Sequence, residues 1–260
     1  MKYPSLTKLV EKLKSSSRVR GIFTTGTTAS QLNPSSDIDL IVLLDKNDED
    51  LKSVYTTVEG RFADIFFFDV DFIHKLQTKQ EVSANDFEGM FAEWLMKGKI
   101  EYDPDNLLTM FRNKIVQNPL SQNILKTEKT NFWLKINYNF IANSRYYQAP
   151  DSLYHKALEF RLLYSVMELT TAYFAFRDIP WRGEKMAVRY FEQNDPEFLS
   201  IFQKYIQSSN LEEKMKHYQD LFAKTFFGDY REWEKDFIIP LSWKNGYEEN
   251  RLSFWNDLIK

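Results

Sequence analysis

Apolar positions in "SLTKLVEKLKSSS", residues 5–17, recur at helical spacing: Leu6, Leu9, Val10 and Leu13 share one face, with Ser5 placed to cap the first turn. The period then changes. "VRGIFTTG" (19–26) predicts a short strand entering a turn. "IDLIVLLD" (38–45) predicts a buried strand, because its run from Leu40 to Leu44 is wholly apolar. "NDEDLKSVYTTVEG" (47–60) offers acidic residues where a helix would begin and Gly60 where it would end. "RFADIFFFDVDFI" (61–73) predicts another strand, with Phe62, Asp64, Phe66 and Phe68 on one face and Ala63, Ile65 and Phe67 on the other. "FAEWLMKGKIEYDPD" (91–105) predicts a helix ending at Gly98, then a short strand and a turn.

From about Leu107 the texture becomes helical. Segments 127–149, 152–176, 184–193, 196–209 and 211–227 all carry helical patterning, with Thr127, Asp151, Asp195 and Asn210 in capping positions. Phe160 to Phe176 is apolar nearly all round, which predicts a helix at the centre of a bundle. The segment from Trp233 holds three tryptophans, Trp233, Trp243 and Trp255, and is expected to pack onto that bundle. The pattern predicts an α+β chain: a mixed β-sheet with flanking helices over 1–110, then an α-helical bundle over 120–260, each of ordinary domain size.

Composition narrows the function classes. With 43% hydrophobic and 16% aromatic residues, the chain has ample material for two cores. Its 34 basic and 37 acidic side chains leave a net charge of −3 and no basic stripe, so polymeric nucleic acid is not expected as a partner. A single nucleotide remains compatible. The absence of cysteine removes disulfides, thiolate zinc sites and cysteine nucleophiles. His74, His155 and His217 lack paired ligand spacing. Charges interrupt every apolar stretch short of a membrane span, and the N-terminus is amphipathic, so a cytoplasmic protein, monomeric or homodimeric, is expected.

The chemistry concentrates in "GIFTTGTTASQLNPSSDIDLIVLLD", residues 21–45. Residues two apart on a strand project to one side, so Asp37 and Asp39 would stand ~6–7 Å apart and repel each other unless a cation sits between them. Mg²⁺ is commonly held by one or two carboxylates together with substrate phosphates. The pair therefore looks like half a metal site that a nucleoside triphosphate completes. Asp64, inside a strongly apolar strand, is costly without a partner and would reach the same site from a neighbouring strand. Gly26 would let the backbone of a tight turn approach phosphate oxygens, with a hydroxyl from Thr27 or Thr28. Asp69 and Asp71 are assigned to a loop or helix start.

The order Gly26-Thr27, spacer, Ser36-Asp37-Ile38-Asp39-Leu40, then Asp64 on a later strand resembles the polymerase-beta-type nucleotidyltransferase superfamily, over roughly Leu6 to Pro104. With a helical second half, the chain is closest in kind to bacterial antibiotic nucleotidyltransferases acting on aminoglycosides or lincosamides. The resemblance implies that Gly26, Thr27, Thr28 and Ser36 hold the triphosphate, ATP in the first instance. It also implies that Asp37 and Asp39 bind Mg²⁺, while Asp64 completes the metal site or acts as base. The family's usual Ser is Thr27 here, which keeps the hydroxyl. In the helical half, Glu168 on an apolar helix is a candidate base for a small-molecule acceptor, and Lys185, with Arg182, a candidate triphosphate clamp. Two other classes fit the same motif: an antitoxin-like enzyme that adenylylates a protein, and a non-catalytic nucleotide sensor.

Overall fold

The computed structural model describes residues 2–33, 35–242 and 246–259. They form two compact units, Met1–Asn123 and Ile124–Lys260. The first unit runs β1 (Lys2–Tyr3), α1 (Leu6–Lys14), β2 (Val19–Thr24), a 3-10 turn (Gly26–Ala29), β3 (Ile38–Leu44), β4 (Ser53–Val58) and β5 (Arg61–Asp69). It continues with α2 (Val70–Thr78), β6 (Glu81–Ser83), α3 (Phe87–Lys97), β7 (Lys99–Tyr102), α4 (Leu107–Gln117) and β8 (Ser121–Asn123). Six strands make one mixed sheet in the order β1-β4-β5-β3-β2-β7. Within it β1/β4 and β3/β5 are parallel and the other pairs antiparallel. The fold class is α+β.

Strand alternation sorts each side chain to one face of this sheet. On one face Ile22, Ile38, Leu40, Val42, Ala63 and Ile65 pack with Leu9 and Val10 of α1. Ser5 caps that helix by accepting from the Lys8 amide. On the other face Phe23, Ile41, Leu43, Phe66 and Phe68 are covered by Ile73, Leu76, Phe91, Leu95, Leu108 and Phe111 from α2, α3 and α4. Helix α4 thus belongs to the first core, because Leu108, Phe111 and Ile115 bury its apolar face there. The first unit accordingly extends past the expected end at residue 110, to Asn123.

Within 47–60, where a helix is expected, Ser53–Val58 form a strand. Val54, Tyr55, Thr56, Thr57 and Val58 are β-branched or aromatic, and their fit to a pleated surface outweighs the acidic start. Glu59 and Gly60, at φ +53° and +76°, form the two-residue link that pairs Val58 with Arg61 across the β4–β5 hairpin. Two successive positive φ angles are the signature of the primed turns that suit hairpin twist.

The second unit holds α5 (Lys126–Gln148), α6 (Ser152–Phe176), α7 (Glu184–Asn194), α8 (Pro196–Gln207) and α9 (Leu211–Thr225). A short β9–β10 pair (Leu241–Ser242 with Gly246–Tyr247), a 3-10 turn (Glu249–Arg251) and α10 (Leu252–Leu258) follow. Asp151, Asp195 and Asn210 cap their helices by accepting amides, whereas Thr127 lies inside the first turn of α5, behind Leu125. The core of α6 runs from Leu158 to Phe176, yet Phe160 and Leu163 are 74% and 70% exposed, so the helix is buried on one side only over its first half. Trp233 and Tyr247 both meet Trp133 edge-on, while Trp243 lies outside the described residues. Among the described residues no helix is long and apolar enough to cross a membrane.

Gly60 has open space where a Cβ would be, so its only constraint is its backbone angle. Gly60→Ala is expected to lower unfolding stability by about 1 kcal/mol, the cost of a left-handed residue with a side chain, measured by urea titration.

Candidate active site

The parallel β3/β5 register sets Asp39 directly beside Asp64. Partners in such a ladder project to the same face, with strands ~4.8 Å apart. Both carboxylates stand on the face of Ile41, Leu43, Phe66 and Phe68, where the helical cover gives way. Asp37, one residue ahead of β3, is close enough for its charge to act on Asp64. The register thus sets two of the motif's three acids side by side, with the charge of Asp37 felt at Asp64.

The carboxyl of Asp64 is perturbed. Burial, and secondarily the charge of Asp37, push its carboxyl above the ordinary carboxylate value. Its Oδ1 is buried and has no hydrogen-bond partner among the described residues. A buried acceptor without a donor is uncommon in a folded protein.

The glycine turn is locked to the same carboxylates. Gly26 has φ +58°, and a Cβ there would lie 2.6 Å from Asp39 Oδ2, so a side chain is excluded by conformation and by space. The Thr25 amide donates to Asp39 O at 3.2 Å. Thr28 Oγ1 accepts from the Asp39 amide at 2.9 Å and donates to Asp37 O at 3.4 Å. That hydroxyl is thereby tied to the backbone of both acids. Thr27, half-buried in the same turn, keeps a hydroxyl that bonds no described protein group.

Ser36 is likewise engaged by the loop backbone. It is buried, and its Oγ accepts from the Asn33 amide at 3.1 Å, which makes it a strut of the loop before Asp37. Arg61 completes that strut by donating from Nη1 to the carbonyls of Asn33 and Ser36. Its role was not foreseen, although its place directly after a tight hairpin turn and three residues before Asp64 was a usable signal. Asp69 caps α2 by accepting from the Phe72 amide at 2.8 Å, as its position predicted.

The two candidates in the helical half belong to the second unit. Glu168 is half-buried between α5 and α6, where Asn139 Nδ2 donates to its Oε2 and Lys135 Nζ lies 3.4 Å from its Oε1. Arg161 ties the same Asn139 to Asn143, a buried polar network that fixes how the two helices meet. Those contacts are those of a satisfied packing acid. Lys185 is exposed in the first turn of α7. A cleft of about 850 Å³ in this unit, lined by Lys126, Trp133, Tyr230, Tyr247 and others, contains none of the candidate acids.

The donor set of Asp37, Asp39 and Asp64 consists of carboxylate oxygens, the kind that hard divalent cations take. The orphaned Oδ1 of Asp64 and the bare Gly26 cradle against Asp39 fit such a group. Among the described residues, no three acidic, histidine or cysteine side chains are grouped so that they alone could hold a metal ion. A cation here would need further ligands from a bound molecule.

No family model and no curated protein matches the chain. Among solved structures, it is similar to a nucleotidyltransferase-like protein from Exiguobacterium sibiricum 255-15. That match has 12% identity, covers 83% of this chain and 72% of the other, and has a TM-score of 0.39. Likeness at that level says nothing of substrate or metal, which rest on the carboxylates themselves.

A raised carboxyl means that the folded chain holds this proton more tightly than the unfolded chain. The associated stability is present below the ordinary Asp value and is lost as pH rises through the raised one. Asp64→Asn is therefore expected to raise the melting temperature by a few degrees at pH 7 in metal-free buffer. The gap should close toward pH 4, as followed by calorimetry at both pH values.

Proposed function

We propose that the chain is a Mg²⁺-dependent nucleotidyltransferase, moving a nucleoside monophosphate from a triphosphate, ATP in the first instance, to a hydroxyl of a small-molecule acceptor. The observation that carries this reading is the pairing of Asp39 with Asp64 across adjacent parallel strands, beside a glycine turn pressed against Asp39. Like charges that close are stable together when a cation and phosphates complete the set.

Asp37 and Asp39 would hold the cation, and Asp64 would close the set from β5. When bound, Mg²⁺ supplies positive charge that stabilises the negative charge developing on the phosphates. The turn at Gly26 and Thr27 offers backbone amides and one hydroxyl to the phosphate tail. The acceptor oxygen forms a bond to the α-phosphorus as the α–β bridging bond breaks, and pyrophosphate leaves with that electron pair. The acceptor proton passes to Asp64 Oδ1, the oxygen with no donor among the described residues.

A small acceptor is preferred because the chain has a net charge of −3 and no basic track for RNA. The resemblance to antibiotic-modifying enzymes makes aminoglycosides and lincosamides the first acceptors to assay. A protein acceptor would instead appear as covalent label on a partner in the same assay.

Thermal shift with each of the four triphosphates tests the reading, with and without Mg²⁺, on the wild type and Asp39→Asn. Stabilisation of several degrees is expected at millimolar nucleotide, only with the metal, and is expected to be lost in the variant. Equal shifts in both proteins would count against the assignment.

A further inference from the structure

The geometry points to Tyr55 and Phe62 as a stacking platform for the base of the bound triphosphate, an inference that rests on the nucleotidyltransferase reading above. Tyr55 is the antiparallel partner of Asp64 across β4 and β5, and Phe62 precedes Asp64 by two residues on β5. Direct partners and alternate residues share a face, so both rings stand on the face that carries the carboxylates. Their rings are stacked on each other, with centroids 5.8 Å apart and planes 21° apart.

The exposure of this pair separates it from the rest of the face. Tyr55 is 63% exposed and Phe62 56%, and neither belongs to a core cluster. Phe66 and Phe68, next along the same strand, instead pack against Phe87, Phe91 and Trp94. Two large rings held parallel in solvent contribute little to folding and present a preformed flat surface to a ligand.

Position in the sheet names the ligand. Across the strands the order is the phosphate turn after β2, then Asp39 on β3, Asp64 on β5 and Tyr55 on β4. A triphosphate with its tail on the turn and its α-phosphate over the carboxylates points its sugar and base toward β4. Tyr55 lies about two strand spacings, ~10 Å, beyond Asp39. Stacking on an aromatic face accepts any base, because every base has a π-face. The four triphosphates are therefore expected to bind with similar affinity.

The test is calorimetric titration of the full chain in Mg²⁺ with a non-hydrolysable ATP analogue and, separately, with inorganic triphosphate. Tyr55→Ala/Phe62→Ala is expected to weaken the analogue about tenfold or more while leaving inorganic triphosphate unchanged. Tyr55→Phe, which keeps the ring, is expected to bind both as the wild type does. Unchanged affinity for the analogue in the double variant overturns the platform, as does an equal loss for inorganic triphosphate. A wild-type chain that binds neither ligand overturns the underlying enzyme reading, a separate result.

Discussion

The first unit is organised around two carboxylates that the β-sheet forces side by side. Asp39 and Asp64 are ladder partners, and no local adjustment of either strand can part them without breaking the register that also aligns Leu40 with Ile65 and Val42 with Phe67. Those apolar pairs are wholly or largely buried under α1, so the hydrophobic core fixes the acids against their mutual repulsion. Three further devices restrain the approach to β3. Thr28 grips the backbone of Asp37 and Asp39, Arg61 grips the loop at Asn33 and Ser36, and Gly26 leaves room for the Asp39 carboxylate. Restraint of this kind around an electrostatically unfavourable cluster is the pattern expected where stability is given up for function.

Much of this arrangement was legible in the sequence, and the reasons differ from residue to residue. Asp37, Asp39 and Asp64 stood out because charged residues interrupt or border runs that otherwise read as buried strands. Gly26 stood out because it ends a strand and opens the spacer before the pair. Thr28 and Ser36 were read as phosphate contacts, and the bonds their hydroxyls make to the loop backbone were not legible, since a hydroxyl in a polar loop looks the same whether it faces a ligand or the backbone. The backbone bonds that claim both depend on how the loop closes. Arg61 was missed for the same reason.

The fold was legible to a similar depth. Strands 38–44 and 61–69 and the long helices announced themselves by period, whereas 53–58 was misread because the acidic run at 48–50 resembles a helix start. Its β-branched and aromatic content was the better guide. Helix α4 was separated from the first unit because its texture matches the helices that follow. Only tertiary contact shows Leu108 and Phe111 buried beneath the sheet. In the bundle, Glu168 was singled out as an acid on an apolar helix, and its partners Asn139 and Lys135 explain how it is accommodated.

On the proposed reading a cation and phosphate complete the set around Asp64, whose Oδ1 has no donor among the described residues. Carboxyl-carbon NMR titration of Asp64 tests that reading most directly, with and without Mg²⁺ and a non-hydrolysable triphosphate. Titration above the ordinary carboxylate range is expected in the free chain, with a marked fall once both ligands are present. Ordinary titration in the free chain, or a midpoint that ignores the ligands, would contradict the reading.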